Sequence, residues 1–149
     1  MENQKCLKTI QNCEFHNINT EQKAGKIPQI SVIMPVYNGE KYIAQAVQSV
    51  YDQNIQVELI VIDDGSTDGT KTVLAPWENR PDFVYIKNEH NLGAAGSRNR
   101  GVAAAKGKYV AFLDADDWWE KGKLAAQLAA LETTGDVICS TGRDLMKPD

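Results

Sequence analysis

Short β-branched apolar runs alternate with segments of helical period, and this alternation limits the possible folds more than any other feature of the chain. Ile30-Ser31-Val32-Ile33-Met34, Val57 to Ile62, Phe83 to Ile86, Tyr109 to Leu113 and Val137-Ile138-Cys139 read as strands, since runs of this length and type suit a buried, pleated surface. Between the first two, Tyr42, Ile43, Ala46, Val47, Val50 and Tyr51 recur at the spacing of an amphipathic helix. Gly65-Ser66-Thr67-Asp68 opens a short helix, with Ser66 or Thr67 as its N-cap and Pro76 as its stop. Ala94 to Lys106 is a small-residue helix closed by Gly107, and Leu124, Leu128 and Leu131 mark a further one. Strand and helix in steady alternation predict right-handed crossovers and an α/β fold with a mostly parallel sheet flanked by helices.

Residues 1–28 are polar and weakly patterned and read as a leader, and residues 29–149 as one domain with a real core. A net charge of −4, with no basic run, argues against nucleic acid as a partner. The three cysteines are odd in number and irregular in spacing, which predicts free thiols and a reducing, cytoplasmic setting. Cys6, Cys13 and His16 fit no zinc spacing. No stretch reaches the length of a transmembrane helix and no secretory signal is present, while peripheral association with the inner face of a membrane stays open.

Acids cluster where the apolar runs stop: Asp63-Asp64 after the second, and Asp114, Asp116 and Asp117 after the fourth. Inside a strand an unpaired carboxylate would be costly to bury. At the carboxyl end it faces the crevice where open α/β sheets bind ligands. Carboxylates gathered at one rim repel each other, and a divalent metal carrying a phosphate-bearing ligand would settle that repulsion. The pleat sends Asp63 and Asp64 to opposite sides, so one can face the crevice while the other caps the following helix; the plainer reading, slightly favoured by the Asp-Gly dipeptide alone, keeps both in the turn. Asp114 and Asp116 are two apart, and in extended geometry their carboxylates share a side, a pair able to bind Mg²⁺ or Mn²⁺. Asp117 could cap the next segment.

Around these acids stand two further groups. PVYNGE, Pro35 to Glu40, places Tyr37 at the end of the first strand, where its ring either stacks on a nucleobase or simply covers the sheet edge. NLGAAGSRNRG, Asn91 to Gly101, sets a glycine-rich turn at Gly93 before a helix, a suitable anion site, with Arg98 or Arg100 free to pair with a diphosphate or with the carboxylates. The alternative is a plain helix with solvated arginines. Trp118 and Trp119 either line a sugar or acceptor face or pack into the core.

PVYNGEKYI, IVIDDGSTDGT, the N-x-G-x-x-x-S-R-N segment and YVAFLDADDWW, in this order, resemble the N-terminal half of family 2 glycosyltransferases of the GT-A fold, over about Ile30 to Thr141. The resemblance implies a Rossmann-like parallel sheet, a nucleotide-sugar donor (often UDP-linked), Mn²⁺ or Mg²⁺ as cofactor, and inverting transfer to a saccharide, lipid or protein hydroxyl. By it Pro35, Val36, Tyr37 and Asn38 line the nucleotide site, Tyr37 lies near the base, and Glu40 supports that loop. Asp64 corresponds to the acid that reads the base. Gly93 and Arg98 lie close to the nucleotide, Asp114 and Ala115 near the ribose, and Asp116 is the metal-binding acid, with Asp114 and Asp116 as the catalytic pair.

The family's second half, which supplies the acceptor site and the general base, is not seen; Asp144 and Asp149 lie in a polar tail without the later motif. In-line transfer needs an activated hydroxyl as well as a stabilised leaving group, so the expectation is a donor-binding half, with self-association through exposed apolar surface. Two other classes compete. One is a non-catalytic nucleotide-sugar-binding module. The other is a phosphoacceptor receiver domain, against which stand three acids within four residues after the later strand.

Overall fold

In a computed structural model, residues 28–135 and 138–140 are described. In chain order they form β1 (Ile30–Val36), α1 (Ile43–Tyr51), β2 (Val57–Asp63), α2 (Thr70–Leu74) running into a 3-10 turn at Ala75–Trp77, β3 (Phe83–Lys87), α3 (Gly93–Ala104), β4 (Tyr109–Phe112) and α4 (Lys123–Thr134). The expected leader, apart from Pro28, and the polar tail lie outside the described residues. So does Val137 of the expected fifth strand; Ile138 and Cys139 are described and are not in a strand.

Among the described residues the sheet has four strands in the order β3-β2-β1-β4. Every pairing is parallel, with Ile30 opposite both Val57 and Tyr109. Chain order runs outward from β1 to β3 and then returns to the other side of β1. The switch point therefore lies between β1 and β4, the place where such sheets leave a crevice at their carboxyl ends. β1 runs past the expected stop at Pro35. Ile33 turns its carbonyl toward β4 and accepts the Leu113 N–H at 3.1 Å. Two residues on, Pro35 faces the same way, but β4 pairs only as far as Phe112 opposite Ile33. The missing proline N–H thus points where no ladder bond is needed.

The two faces of the sheet are covered unequally. Val32, Met34, Leu59 and Val61 point to one side and are fully buried against Ile43, Ala46 and Val47 of α1 and Leu74 of α2. Trp119 and Leu124 close that layer beside α4. On the other face Ile33, Ile60 and Ile62 are buried under α3. Ser31 and Glu58 are buried on this face too, and their side chains bond each other and the N–H groups of Lys106 and Gly107. This accounts for two polar groups in the middle of an apolar sheet.

Glycines decide how closely the chain approaches β1. Gly107 is not the cap of α3; that position is Ala105, in extended geometry. A Cβ at Gly107 would meet the backbone N of Ser31 at 2.5 Å, so glycine there lets the loop cross the strand. A Cβ on Gly101, in the middle of α3, would collide with Ile33 Cγ2. Replacing an unhindered helical glycine by alanine is worth about 1 kcal/mol of added stability. At Gly101 the sign should reverse: Gly101→Ala is expected to lower unfolding free energy by about 1–3 kcal/mol through overpacking, read from chemical denaturation. A gain in stability would show that α3 does not seat this tightly on β1.

Candidate functional site

Two loops at the carboxyl ends of β1 and β2 are laced together. Asn38 sits in the left-handed region, at φ 53°, which asparagine tolerates better than most residues. Its N–H donates to Ser66 Oγ and its Oδ1 accepts the Thr67 N–H, both at 2.9 Å. The Gly39 N–H donates to Thr70 Oγ1 at 2.9 Å, the Glu40 N–H to Asp68 Oδ2 at 3.1 Å, and Glu40 Oε2 accepts the Gly69 N–H at 2.7 Å. Ser66 and Thr67 are thus occupied with the neighbouring loop and do not cap α2. The Asp68 carboxylate takes the Thr70 N–H at 3.0 Å instead, because α2 starts later than the sequence pattern suggests.

The adjacent acids of β2 divide as the pleat requires. Asp63 is buried and accepts the Ser66 N–H at 2.7 Å and the Tyr85 hydroxyl. Burial first, then the hydrogen bond and charge of Asp63, hold Tyr85 above the usual phenol range. Asp64 turns into the crevice and is also buried. Its Oδ1 accepts the Asn88 side-chain amide at 2.7 Å and the Leu92 N–H at 2.8 Å. Burial pushes the Asp64 carboxyl up, but hydrogen bonds from Leu92, Asn88, Ser97 and Gly93 outweigh it and leave the group below its ordinary value.

The segment after β4 is a turn, not an extended strand: the Asp117 N–H donates to the Asp114 carbonyl at 3.1 Å. Strand alternation therefore does not bring Asp114 and Asp116 together; the turn does, and both border the crevice. Asp114 pairs with Arg98 of α3 at 2.5 Å, the two side chains 48% and 35% exposed. A pair this exposed is worth at most about 1 kcal/mol, so an incoming anion or cation can displace it cheaply. Asp116 is exposed. Asp117 caps nothing: α4 begins after Gly122 with no side-chain cap. Arg100 turns away from the crevice, to Asn88 Oδ1 and the Lys87 carbonyl.

The resulting crevice has a volume of about 400 Å³. Pro35, Val36, Tyr37, Asn38, Asp64, Gly93, Arg98, Asp114, Ala115 and Asp116 all line it, but Glu40 does not. Its carboxylate accepts the Gly69 N–H instead. Gly39, Tyr42, Asn91 and Ala94 line it as well, although the helical spacing places Tyr42 on the apolar face of α1. Tyr42 precedes the first turn of α1 and is 56% exposed, beside Tyr37 at 55%. Neither tryptophan is in the crevice. Trp119 is a core residue whose N–H donates to Ser49 Oγ at 3.1 Å, and Trp118 is exposed elsewhere. A larger groove, about 610 Å³, runs between the outer edge of β4 and α4. It is apolar with two lysines and no carboxylate, far from the strand-end acids in character. The strand-end acids Asp64, Asp114 and Asp116 instead border the smaller crevice, together with two exposed tyrosines and the Arg98–Asp114 ion pair.

Asp64 and Asp68 both titrate below the ordinary 3.8, Asp68 because bonds from Thr70 and the Glu40 N–H overcome its burial. A depressed carboxyl adds stability above the unfolded value and loses it as pH falls through the folded one. Unfolding free energy should thus decline below about pH 4, and Asp64→Asn should make that decline shallower. Denaturant titrations across the acid range test it; equal slopes for both proteins would remove Asp64 from the acid response.

The profile of Glycosyl transferase family 2 matches residues 31–148. TuaG of Bacillus subtilis (strain 168), provisionally named a teichuronic acid biosynthesis glycosyltransferase, is 43% identical over 124 residues, which are 82% of this chain and 49% of TuaG. Among solved structures, S. aureus TarS 1-349 in complex with UDP-GlcNAc shares 33% identity at a TM-score of 0.66, over 70% of this chain and 31% of that one. A mannosyltransferase from Pyrobaculum calidifontis in complex with GDP-Man and Mn²⁺ shares 30% identity at a TM-score of 0.64, over 72% and 33%. The chain thus spans half or less of the length of these relatives. The parallel sheet with its flanking helices and the sequence agree with these matches on the GT-A fold, and the chain belongs to Glycosyl transferase family 2.

Proposed function

We propose that this chain supplies the donor-binding part of a glycosyltransferase that takes its sugar from a nucleoside diphosphate, UDP in preference to GDP. One observation carries the reading: Tyr37, Asp64, Arg98, Asp114 and Asp116, from four separate segments, line a single crevice at the switch point of the sheet. An exposed ring at the mouth suits the face of a nucleobase, worth about 1–3 kcal/mol per stacked base. Asp64, kept ionised by its donors, is an acceptor for a base N–H. Arg98 can leave Asp114 for a diphosphate, and Asp114 is then available to ribose hydroxyls. TarS binds UDP-GlcNAc, which favours uridine; the Pyrobaculum enzyme binds GDP-Man, so the fold accommodates either base.

The residues present fit a divalent cation held with its substrate. Among the described residues no cluster of three or more ligands exists, which speaks against a protein-only cage. Mg²⁺ and similar ions are commonly held by one or two carboxylates plus phosphate oxygens and water, and the exposed Asp116, with Asp114 nearby in the turn, meets that need. Such an ion, when bound, would neutralise charge on the diphosphate leaving group. Beyond Asp64, Asp114 and Asp116 no carboxylate lines the crevice among the described residues. The acceptor proposed is a hydroxyl of a growing saccharide, in keeping with TuaG, with inverted configuration as the family resemblance implies. No helix among the described residues is long and apolar enough to cross a membrane.

UDP with Mn²⁺ should stabilise the chain by about 2.7 kcal/mol at a hundredfold excess over the dissociation constant, and UDP alone by less. Asp116→Ala should remove the Mn²⁺-dependent increment while leaving the increment from UDP alone. Thermal unfolding with UDP, GDP and Mn²⁺ in separate arms is the check. A full Mn²⁺ increment in the Asp116→Ala protein would refute the metal assignment, and no stabilisation by either nucleotide would refute donor binding.

A further inference from the structure

Asn88 follows directly on the last residue of β3 and is 1% exposed. Its backbone N–H donates to the Asp63 carbonyl at 2.8 Å, so the residue is pinned to the end of β2. Its side chain makes contacts on both sides. Nδ2 donates to Asp64 Oδ1 at 2.7 Å and to Ser97 Oγ at 3.0 Å, and Oδ1 accepts from Arg100 Nη1. The Ser97 hydroxyl in turn bonds the Asp64 carboxylate.

Which way this amide points is settled from both ends. A guanidinium has donors only and an ionised carboxylate acceptors only. Oδ1 must therefore face Arg100, and Nδ2 must face Asp64. If the amide turned over, oxygen would meet carboxylate and NH₂ would meet guanidinium, and both contacts would be repulsive. Arg100, outside the crevice, thus acts through Asn88 to fix the direction from which Asp64 is held. Asp64 is left with one orientation toward the crevice, and its negative charge is retained despite burial.

From this geometry we propose that Asn88, locked by Arg100, is a positioning residue that aims Asp64 at the nucleobase of the donor. The inference rests on the donor-binding reading above and adds to it a specific dependence: base recognition relies on a side chain that never touches the ligand. Asn88 does not line the crevice.

The test uses UDP binding to the chain by calorimetry, with Mn²⁺ constant, for the native protein, Asn88→Asp, Asp64→Asn and the double variant. In Asn88→Asp at about pH 5 a proton shared by the two facing carboxyls replaces the amide hydrogen. As pH rises that proton leaves, the like charges repel, and Asp64 is pushed out of line. The ratio of dissociation constants, variant over native, should climb from about 2 at pH 5 to about 10 or more at pH 8. Phosphate titration and His90, exposed on the same loop, are common to both proteins and cancel in the ratio. Tyr85 and Asp63 point to the far side of β2, and Arg100, Arg98 and Asp114 are likewise shared.

Against the Asp64→Asn background the same change should produce no pH-dependent rise, since no second carboxylate remains. A ratio that is large but flat with pH, or a rise that survives without Asp64, would overturn the positioning role and leave Asn88 as a structural residue only. If Asn88→Asp does not fold, Arg100→Leu decides. Removing one of the two restraints that hold the amide should loosen Asp64 and weaken UDP about three- to tenfold, and unchanged affinity would overturn the proposal. Failure of the native chain to bind UDP or GDP at all would defeat the donor reading and this inference together. Native binding with a flat ratio defeats the inference alone.

Discussion

Parallel pairing of β1 with both β2 and β4 is the constraint from which the rest of the molecule follows. Because β1 accepts neighbours on both edges, in register from Ile30, the carboxyl ends of three strands stop at one rim. Because β4 comes from the far side of α3, a gap opens between the loops beyond β1 and β4, and nothing in the sheet fills it. The apolar core that enforces this is continuous: β1 and β2 are buried along almost their whole length, one face against α1 and α2, the other against α3. A one-residue slip would turn Val32 and Met34 toward α3, and Ser31 toward α1, away from the donors over it.

The rim collects negative charge, yet four of the acids there have their own employment. Asp63 holds a turn and a tyrosine, Asp68 a helix start, Asp64 an amide and a backbone N–H, and Asp114 an arginine. Most of the repulsion anticipated from the sequence is thus relieved by hydrogen-bond donors of the protein itself. Of the acids that line the crevice among the described residues, Asp64 and Asp114 are bonded to donors, whereas Asp116 is exposed. The cation logic therefore narrows from the whole cluster to one carboxylate and its neighbour in the turn. Rigidity follows the same division. The loops after β1 and β2 are cross-bonded at several points and form a preorganised wall. The opposite wall is a short turn and an exchangeable ion pair.

Strand and helix identity were legible because each rests on a local period: the four described strands fall where β-branched runs stand, and their ends shift by only a residue or two. Most of the crevice lining was legible as well, since residues that follow a buried parallel strand have few other places to go. What escaped depends on contacts distant in sequence. Tyr42 fits the helical period of α1 but is its N-cap, with non-helical backbone, and lines the crevice. Glu40 is drawn away by an N–H at Gly69, Ser66 and Thr67 by Asn38, and Gly107 by the backbone of β1. Asn88, in a loop with no periodic signal, gave no hint of its place between Asp64 and Arg100.

By itself, then, the order of residues determined the α/β alternation, the parallel sheet and the rim where the acids gather, because hydrophobic period and strand-end polarity are written in near neighbours. Only the tertiary structure decided which acid faces the crevice, which serves a turn and which meets Arg98. Those choices are made by hydrogen-bond donors arriving from other strands and helices, and a donor's position relative to a distant carboxylate exists only once the chain has folded.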